Sequence, residues 1–291
     1  MAGTISDLAS IYRAWLDCTS QGRWNDLPKY MHSTYTYNDR EFDPQTFVTL
    51  VQREANRFAG FTINVDAVLI DDDAQCIACR LYSKGRPTET MFGHEPPGQD
   101  VYFVEHHFAW FTAGKLSKTL FTLDIDSVSY QFRHPDAEYA LDLLGQTPTP
   151  TTKTLSRQNL EDAFRAYLSC VNDRKMKSDL ARFCHSEITH NGEQMTVDEH
   201  RLFIEERISA IPDLDYHIHT LIADPESQRV AVRIEYNDCT VLKEIAGLVP
   251  NVRRVNFAEH TIFLYDDARI KRIWSIVDWE AARRQIAAAA L

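Results

Sequence analysis

Apolar residues recur at i, i+3 and i+4 over residues 8–18 and again over 160–171, the spacing of a helix with one buried face. A shorter helical stretch follows over 26–31, and a longer one over 44–58 is matched by 197–211. After the helices the period changes to two. Residues 62–70, 75–83, 101–111 and 116–124 read as strands, each with a later counterpart. Helices grouped ahead of an antiparallel sheet predict an α+β domain, with the helices covering one sheet face. The run PDAEYALDLLG predicts a closing helix that ends at Gly145.

The pattern occurs twice because the sequence does. IYRAWLDC (11–18) is matched by AFRAYLSC (163–170), and DLPKYMHS (26–33) by DLARFCHS (179–186). TYND (36–39) is matched by THNG (189–192), FVEH (103–106) by FAEH (257–260), and Asp124 by Asp278. The separation drifts only from 152 to 154 residues, so order and spacing are kept through a whole domain. Between the copies, GQTPTPTTK is too rich in Pro and Thr for a helix or an inner strand. The expected organisation is a first domain over 1–144, a linker over 145–153 and a second domain over 154–291.

Composition narrows the partners. The net charge is −11, and no basic cluster exceeds a pair such as Arg253-Arg254, which argues against nucleic acid and anionic membranes. No stretch approaches the roughly 18 apolar residues of a membrane span. The first residues carry charges and lack a small-residue cleavage site, so no secretory signal is read there and a cytoplasmic location is expected. Six cysteines are too sparse for a disulfide framework. Cys76 and Cys79 form a CxxC, but within a strand they point to opposite faces and read as reduced core residues. No nucleotide-binding glycine motif, nucleophile elbow or metal-ligand spacing appears, so no cofactor and no metal is expected.

In order along the second copy stand IPDLDYHIHTLIAD (211–224), VAVRIEY (230–236), GLVPNVRRVNF (247–257) and DARIKRIWSIVD (267–278). The first copy keeps GHEPPGQDVYF (93–103) and AGKLSKTLFTLD (113–124). These motifs resemble the SnoaL-like polyketide cyclases of the nuclear-transport-factor-two-like fold. The resemblance implies two tandem cone-shaped domains, each a curved antiparallel sheet wrapped around N-terminal helices, paired as an intrachain pseudo-dimer. It also implies an acid/base enzyme of secondary metabolism without a cofactor, a cyclase, isomerase or dehydratase. The substrate would be a small apolar polyketide- or terpenoid-like intermediate, and a further homodimer is possible.

In VYFVEHHFAWF, alternation puts Glu105 and His107 on one face. The resemblance makes them the pocket-facing pair and Asp124 the general acid/base, with burial expected to raise its carboxyl pKa. It adds Tyr35, Tyr37 and Asn38 as substrate contacts. The second copy offers Glu259, Asp278, His190 and Asn191, with Thr261 where the first copy has His107. The first copy is the favoured active one. Each residue also has a structural reading. Asp124 and Asp278 could cap helices, Arg80 and Arg233 could pair with Glu105 and Glu259, Asn191-Gly192 could be a tight turn, and His217 and His219 could be packing residues. Competing functions are an epoxide hydrolase of the same fold and a non-catalytic ligand-binding or scaffold pseudo-dimer.

Overall fold

A computed structural model describes residues 8–147, 153–251 and 253–288. Residues 148–152 of the expected linker lie outside the described residues. The chain divides into two compact units, Met1–Gln146 and Thr147–Leu291.

The first unit runs α1 (Leu8–Ser20), a 3-10 turn (Trp24–Tyr30), β1 (Met31–Tyr37), β2 (Arg40–Phe42), α2 (Pro44–Ala55), β3 (Phe58–Asp71), β4 (Cys76–Pro87), β5 (Val101–Thr112), β6 (Lys115–Leu123) and α3 (Ile125–Arg133). The second repeats it as α4 (Arg157–Asn172), α5 (Met176–Asp179), β7 (Cys184–His190), β8 (Glu193–Thr196), α6 (Val197–Ala210), β9 (His217–Asp224), β10 (Arg229–Thr240), β11 (Arg254–Asp266), β12 (Arg269–Val277) and α7 (Trp279–Ala287). Each unit holds one six-stranded sheet, ordered β2-β1-β6-β5-β4-β3 and β8-β7-β12-β11-β10-β9. This is the α+β fold expected from the sequence. Bulges interrupt the register of β3 and of β10, where they bend the strands.

Three features differ from the expectation. The segments 31–42 and 184–196 each add two short strands, and β1 and β7 pair parallel to β6 and β12, so the sheets are not wholly antiparallel. Burial along the seven-residue β1 and β7 does not alternate, so no period of two marks them in the sequence. The closing helix expected over 135–145 is absent. A helix forms earlier, at Ile125–Arg133, because Asp124 caps it and Pro135 follows its end. The backbone N–H groups of Leu144 and Gly145 donate instead to Asp66 on β3, at 2.9 Å each. Finally, Arg80 pairs with that same Asp66, and Arg233 with Glu235 at 3.1 Å, so neither arginine serves Glu105 or Glu259.

Sheet and helices close on an apolar core in each unit, and in the first unit Val128 and Phe132 of α3 add a smaller cluster with Met91, Val101 and Phe103. In the first, Tyr12 and Trp15 of α1 meet Tyr35, Phe47, Ile77 and Ala109. In the second, Leu160, Phe164 and Leu168 of α4 meet Ile204, Val232 and Phe263. All six cysteines are free and buried.

Candidate functional site

The first unit brings Glu105 and His107 together. Strand alternation puts both on the helix-facing side, and His107 Nε2 donates to Glu105 Oε2 at 2.8 Å. The other ring nitrogen, Nδ1, lies 2.6 Å from the hydroxyl of Tyr12, a residue the sequence reading passed over as apolar packing. Tyr35, Tyr37 and Phe47 fill the space beside this chain of contacts, Tyr37 stacking on Phe121 with ring centroids 4.6 Å apart. Tyr35 and Phe47 are fully buried. Rings therefore occupy the interior around His107.

Asp124 does not join them. Across β5 and β6, Glu105 stands opposite Leu123 and His107 opposite Phe121, which turns Thr122 and the residue after Leu123 toward the other side. The Asp124 carboxylate accepts from Ser127 N–H at 2.9 Å as the cap of α3. Burial raises its pKa against that hydrogen bond, but among Asp126 and Arg80 rather than in a pocket with His107. Asn38 closes a turn at positive φ, its side-chain oxygen accepting from Phe121 N–H at 2.8 Å.

The second unit repeats the structural roles. Asp278 caps α7 through Ala281 N–H at 2.9 Å. Asn191, also at positive φ, is tied to Ser275 by both ends of its amide, at 2.8 and 2.9 Å. His217 and His219 are exposed rather than packed. Asp278→Ala is expected to lower stability by about 1 kcal/mol, and Asp278→Asn by less because an acceptor remains. Chemical denaturation of both variants measures this, and equal losses would contradict the capping role.

The inward face of the second unit is different. A cavity of about 40 Å³ opens among α4, α6 and the sheet, its wall including Glu259, Arg207, His190, His200, Tyr216 and Phe203. That volume suits one or two water molecules. Glu259 is held from three sides: Tyr236 donates to Oε2 at 2.6 Å, Arg207 to the same oxygen at 3.3 Å, and Thr261 to Oε1 at 3.0 Å. The Arg207 and Glu259 side chains are only 13% and 8% exposed. Burial is the largest influence and works against the Arg207 charge, but Glu259 together with Tyr216, Tyr236 and Tyr167 keeps the guanidinium pKa above its ordinary value.

His190 Nε2 lies 2.7 Å from the Ser275 hydroxyl, and His200 Nε2 lies 3.2 Å from the Tyr167 hydroxyl. Burial, with the nearby Arg207 charge, lowers both histidine pKa values to about 3, so both are neutral near pH 7. For His200 the neighbouring His190 adds to this and Glu259 opposes it.

Sequence reasoning found Glu259, Thr261 and His190 but missed Arg207, His200, Tyr216 and Tyr236. A signal existed for two of them. His200, Phe203, Ile204 and Arg207 fall on one face of α6, and a buried helix face that spends two of four positions on His and Arg is anomalous. In the first unit the matching face of α2 carries Phe47, Leu50 and Glu54, each 153 residues earlier than His200, Phe203 and Arg207. Glu54 points outward to Arg53 and Arg57, so Glu105 lacks the ion partner that Glu259 has.

The family model described as SnoaL-like polyketide cyclase matches residues 9–124 and, a second time, 161–286. The chain belongs to this family. Both copies of the SnoaL-like domain lie within the structure, one in each unit. Among solved structures, a SnoaL-like polyketide cyclase from Agrobacterium tumefaciens is 31% identical, over 46% of this chain and 99% of that one, with a TM-score of 0.41. TsrD from Streptomyces laurentii is 13% identical, over 44% of this chain and 96% of its own, with a TM-score of 0.40. No curated protein matches the chain. Among the described residues, no cluster of three or more His, Cys, Asp or Glu is placed to hold a metal ion. No described helix is long and apolar enough to cross a membrane.

Proposed function

We propose that this SnoaL-like protein is an acid/base enzyme of secondary metabolism whose working site is the second unit, acting on a carbon acid next to a carbonyl. The observation that carries the reading is the buried Glu259–Arg207 pair facing a cavity. The Glu259 carboxylate accepts from Arg207 and from the hydroxyls of Tyr236 and Thr261, and among the described residues its Oε1 accepts one hydrogen bond. It takes the α-proton: the C–H bond breaks, its electron pair becomes the C=C bond of an enolate, and the carbonyl π electrons move to oxygen. The Arg207 charge beside the cavity stabilises that oxygen. Return of the proton to another carbon isomerises the substrate, and attack of the enolate on a second carbonyl cyclises it. The rings packed around His107 in the first unit support a scaffold role for that copy. A substrate with a ring enters when Phe203, which rests edge-on against His190 at 5.1 Å, swings aside.

The cavity volume favours one other reading, a water positioned by Glu259 for hydrolysis, as in an epoxide hydrolase. Proton NMR in D₂O separates the two. The protein is expected to exchange the α-protons of cyclohexanone above the buffer rate, and Glu259→Gln to slow this at least 100-fold while remaining folded by circular dichroism. No exchange, together with hydrolysis of cyclohexene oxide, would favour the water-using enzyme. Exchange lost in Glu105→Gln but kept in Glu259→Gln would move the site to the first unit.

A further inference from the structure

Tyr216 stands just ahead of β9, where Asn172 at the end of α4 fixes its backbone: Asn172 Oδ1 accepts from Tyr216 N–H at 3.0 Å, and Asn172 Nδ2 donates to Tyr216 O at 3.2 Å. Its ring packs edge-on against Tyr236 at 5.1 Å and lines the cavity. The residue is 8% exposed, and its hydroxyl, which lies beside the Arg207 guanidinium, makes no well-formed hydrogen bond among the described residues. A buried hydroxyl without a well-formed hydrogen bond costs about 1–3 kcal/mol, and an acceptor in the cavity would remove that cost. In the first unit Ile63 stands 153 residues earlier, and no such hydroxyl is present.

The charges of the side chains that line the cavity balance; Arg174, whose charge also reaches the Tyr216 phenol, is not among them. Arg207 is matched by Glu259, while His190 and His200 carry no charge near neutral pH. Burial pushes the Tyr216 phenol up to about 12, partly offset by the Arg207 charge, so it stays a donor. A neutral site that offers an O–H donor and a polar pair suits an uncharged acceptor oxygen. A carboxylate or phosphate brought in would meet no unpaired cation among the lining side chains and would lose its hydration.

We infer that Tyr216 is the group that receives the substrate's carbonyl oxygen, and that the neutral cavity selects uncharged ketones over carboxylates and phosphates of the same shape. This rests on the second unit being the working site. It goes further by naming the oxygen donor and the charge class of the substrate. Leu168, Val171, Ile234 and Phe263 supply the apolar wall against which the carbon skeleton packs.

The test is a binding titration followed by ligand NMR, using cyclohexanone and cyclohexanecarboxylate on the whole protein at pH 7.5. Wild type is expected to bind the ketone and not the carboxylate. Tyr216→Phe is expected to weaken ketone binding about tenfold with little loss of thermal stability, because the deleted hydroxyl makes no well-formed hydrogen bond among the described residues. Tyr236→Phe, which removes a donor to Glu259, is expected to lower stability instead. Equal ketone binding by Tyr216→Phe, carboxylate binding as tight as the ketone's, or no ketone binding by wild type would each overturn the inference. Ketone binding that depends on Tyr216 without any α-proton exchange would leave the inference standing and defeat the enzymatic reading.

Discussion

Glu259→Gln is expected to cost the second unit about 3–5 kcal/mol, the range for removing one partner from a buried ion pair. The substitution changes almost no volume, so packing does not explain the loss. The amide can still accept from Tyr236 or Thr261, which now lie 2.6 and 3.0 Å from the carboxylate. What it cannot supply is a counter-charge for Arg207. Among the described residues Glu259 is the one ion-pair partner of that guanidinium, which also lies against the faces of Phe203 at 4.6 Å and Trp279 at 5.8 Å and beside the Tyr216 phenol. Adding Arg207→Met is then expected to recover part of the loss, because the stranded charge is gone. Urea denaturation of the wild type, both single variants and the double variant gives the coupling energy. A single-variant loss below 1 kcal/mol, or a double variant that loses the sum of both, would contradict a desolvated pair.

The duplication and the α+β class were legible because periodicity and repeated motifs are carried by many residues at once. The site was legible only in part, and the reasons are local. Alternation alone placed Glu105 beside His107, and Glu259 beside Thr261, on one face each. It failed at Asp124 and Asp278, which stand beyond the last residue of β6 and β12, where the chain turns into a helix and side-chain alternation ends. The cap reading of both aspartates needed only the helix that follows. Tyr12, Arg207 and Tyr216 reach the sheet from α1, α6 and the segment ahead of β9, contacts made across the fold between residues far apart in sequence. No spacing rule encodes those meetings. Nor does a motif show whether a cavity is open. Tyr37, Phe47 and Phe121 in the first copy stand where His190, His200 and Ser275 stand in the second, and each is the bulkier or less polar of its pair. The copy that matches the motif pattern is thus the one that packs aromatic rings around its histidine.

Acid is expected to unfold the second unit before the first, through His190 and His200. Their folded pKa values are about 3, against about 6.5 for the unfolded side chain. Between those limits the unfolded chain binds protons that the folded unit cannot take. The stability contributed by the neutral histidines is therefore complete above about pH 6.5 and is lost progressively as pH falls toward 3. Each contributes a slope of up to about 1.4 kcal/mol per pH unit in that window, stability rising with pH. The cause is geometric. Both rings are more than nine-tenths buried, their centroids 6.0 Å apart, with the Arg207 charge on the same wall, so the first proton has no exposed place and the second meets the first. The Glu259 carboxylate on that wall favours His200 protonation but does not overcome burial. At the matching first-unit positions Tyr37 and Phe47 take up no proton in this range. Hydrogen exchange read by mass spectrometry at pH 7, 6, 5 and 4, corrected for the intrinsic rate, should show β11 and β12 losing protection while β5 and β6 keep theirs. His200→Phe, which installs the first unit's residue, should roughly halve the slope. A second unit as stable at pH 5 as at pH 7 would mean that the histidines are not held neutral by burial.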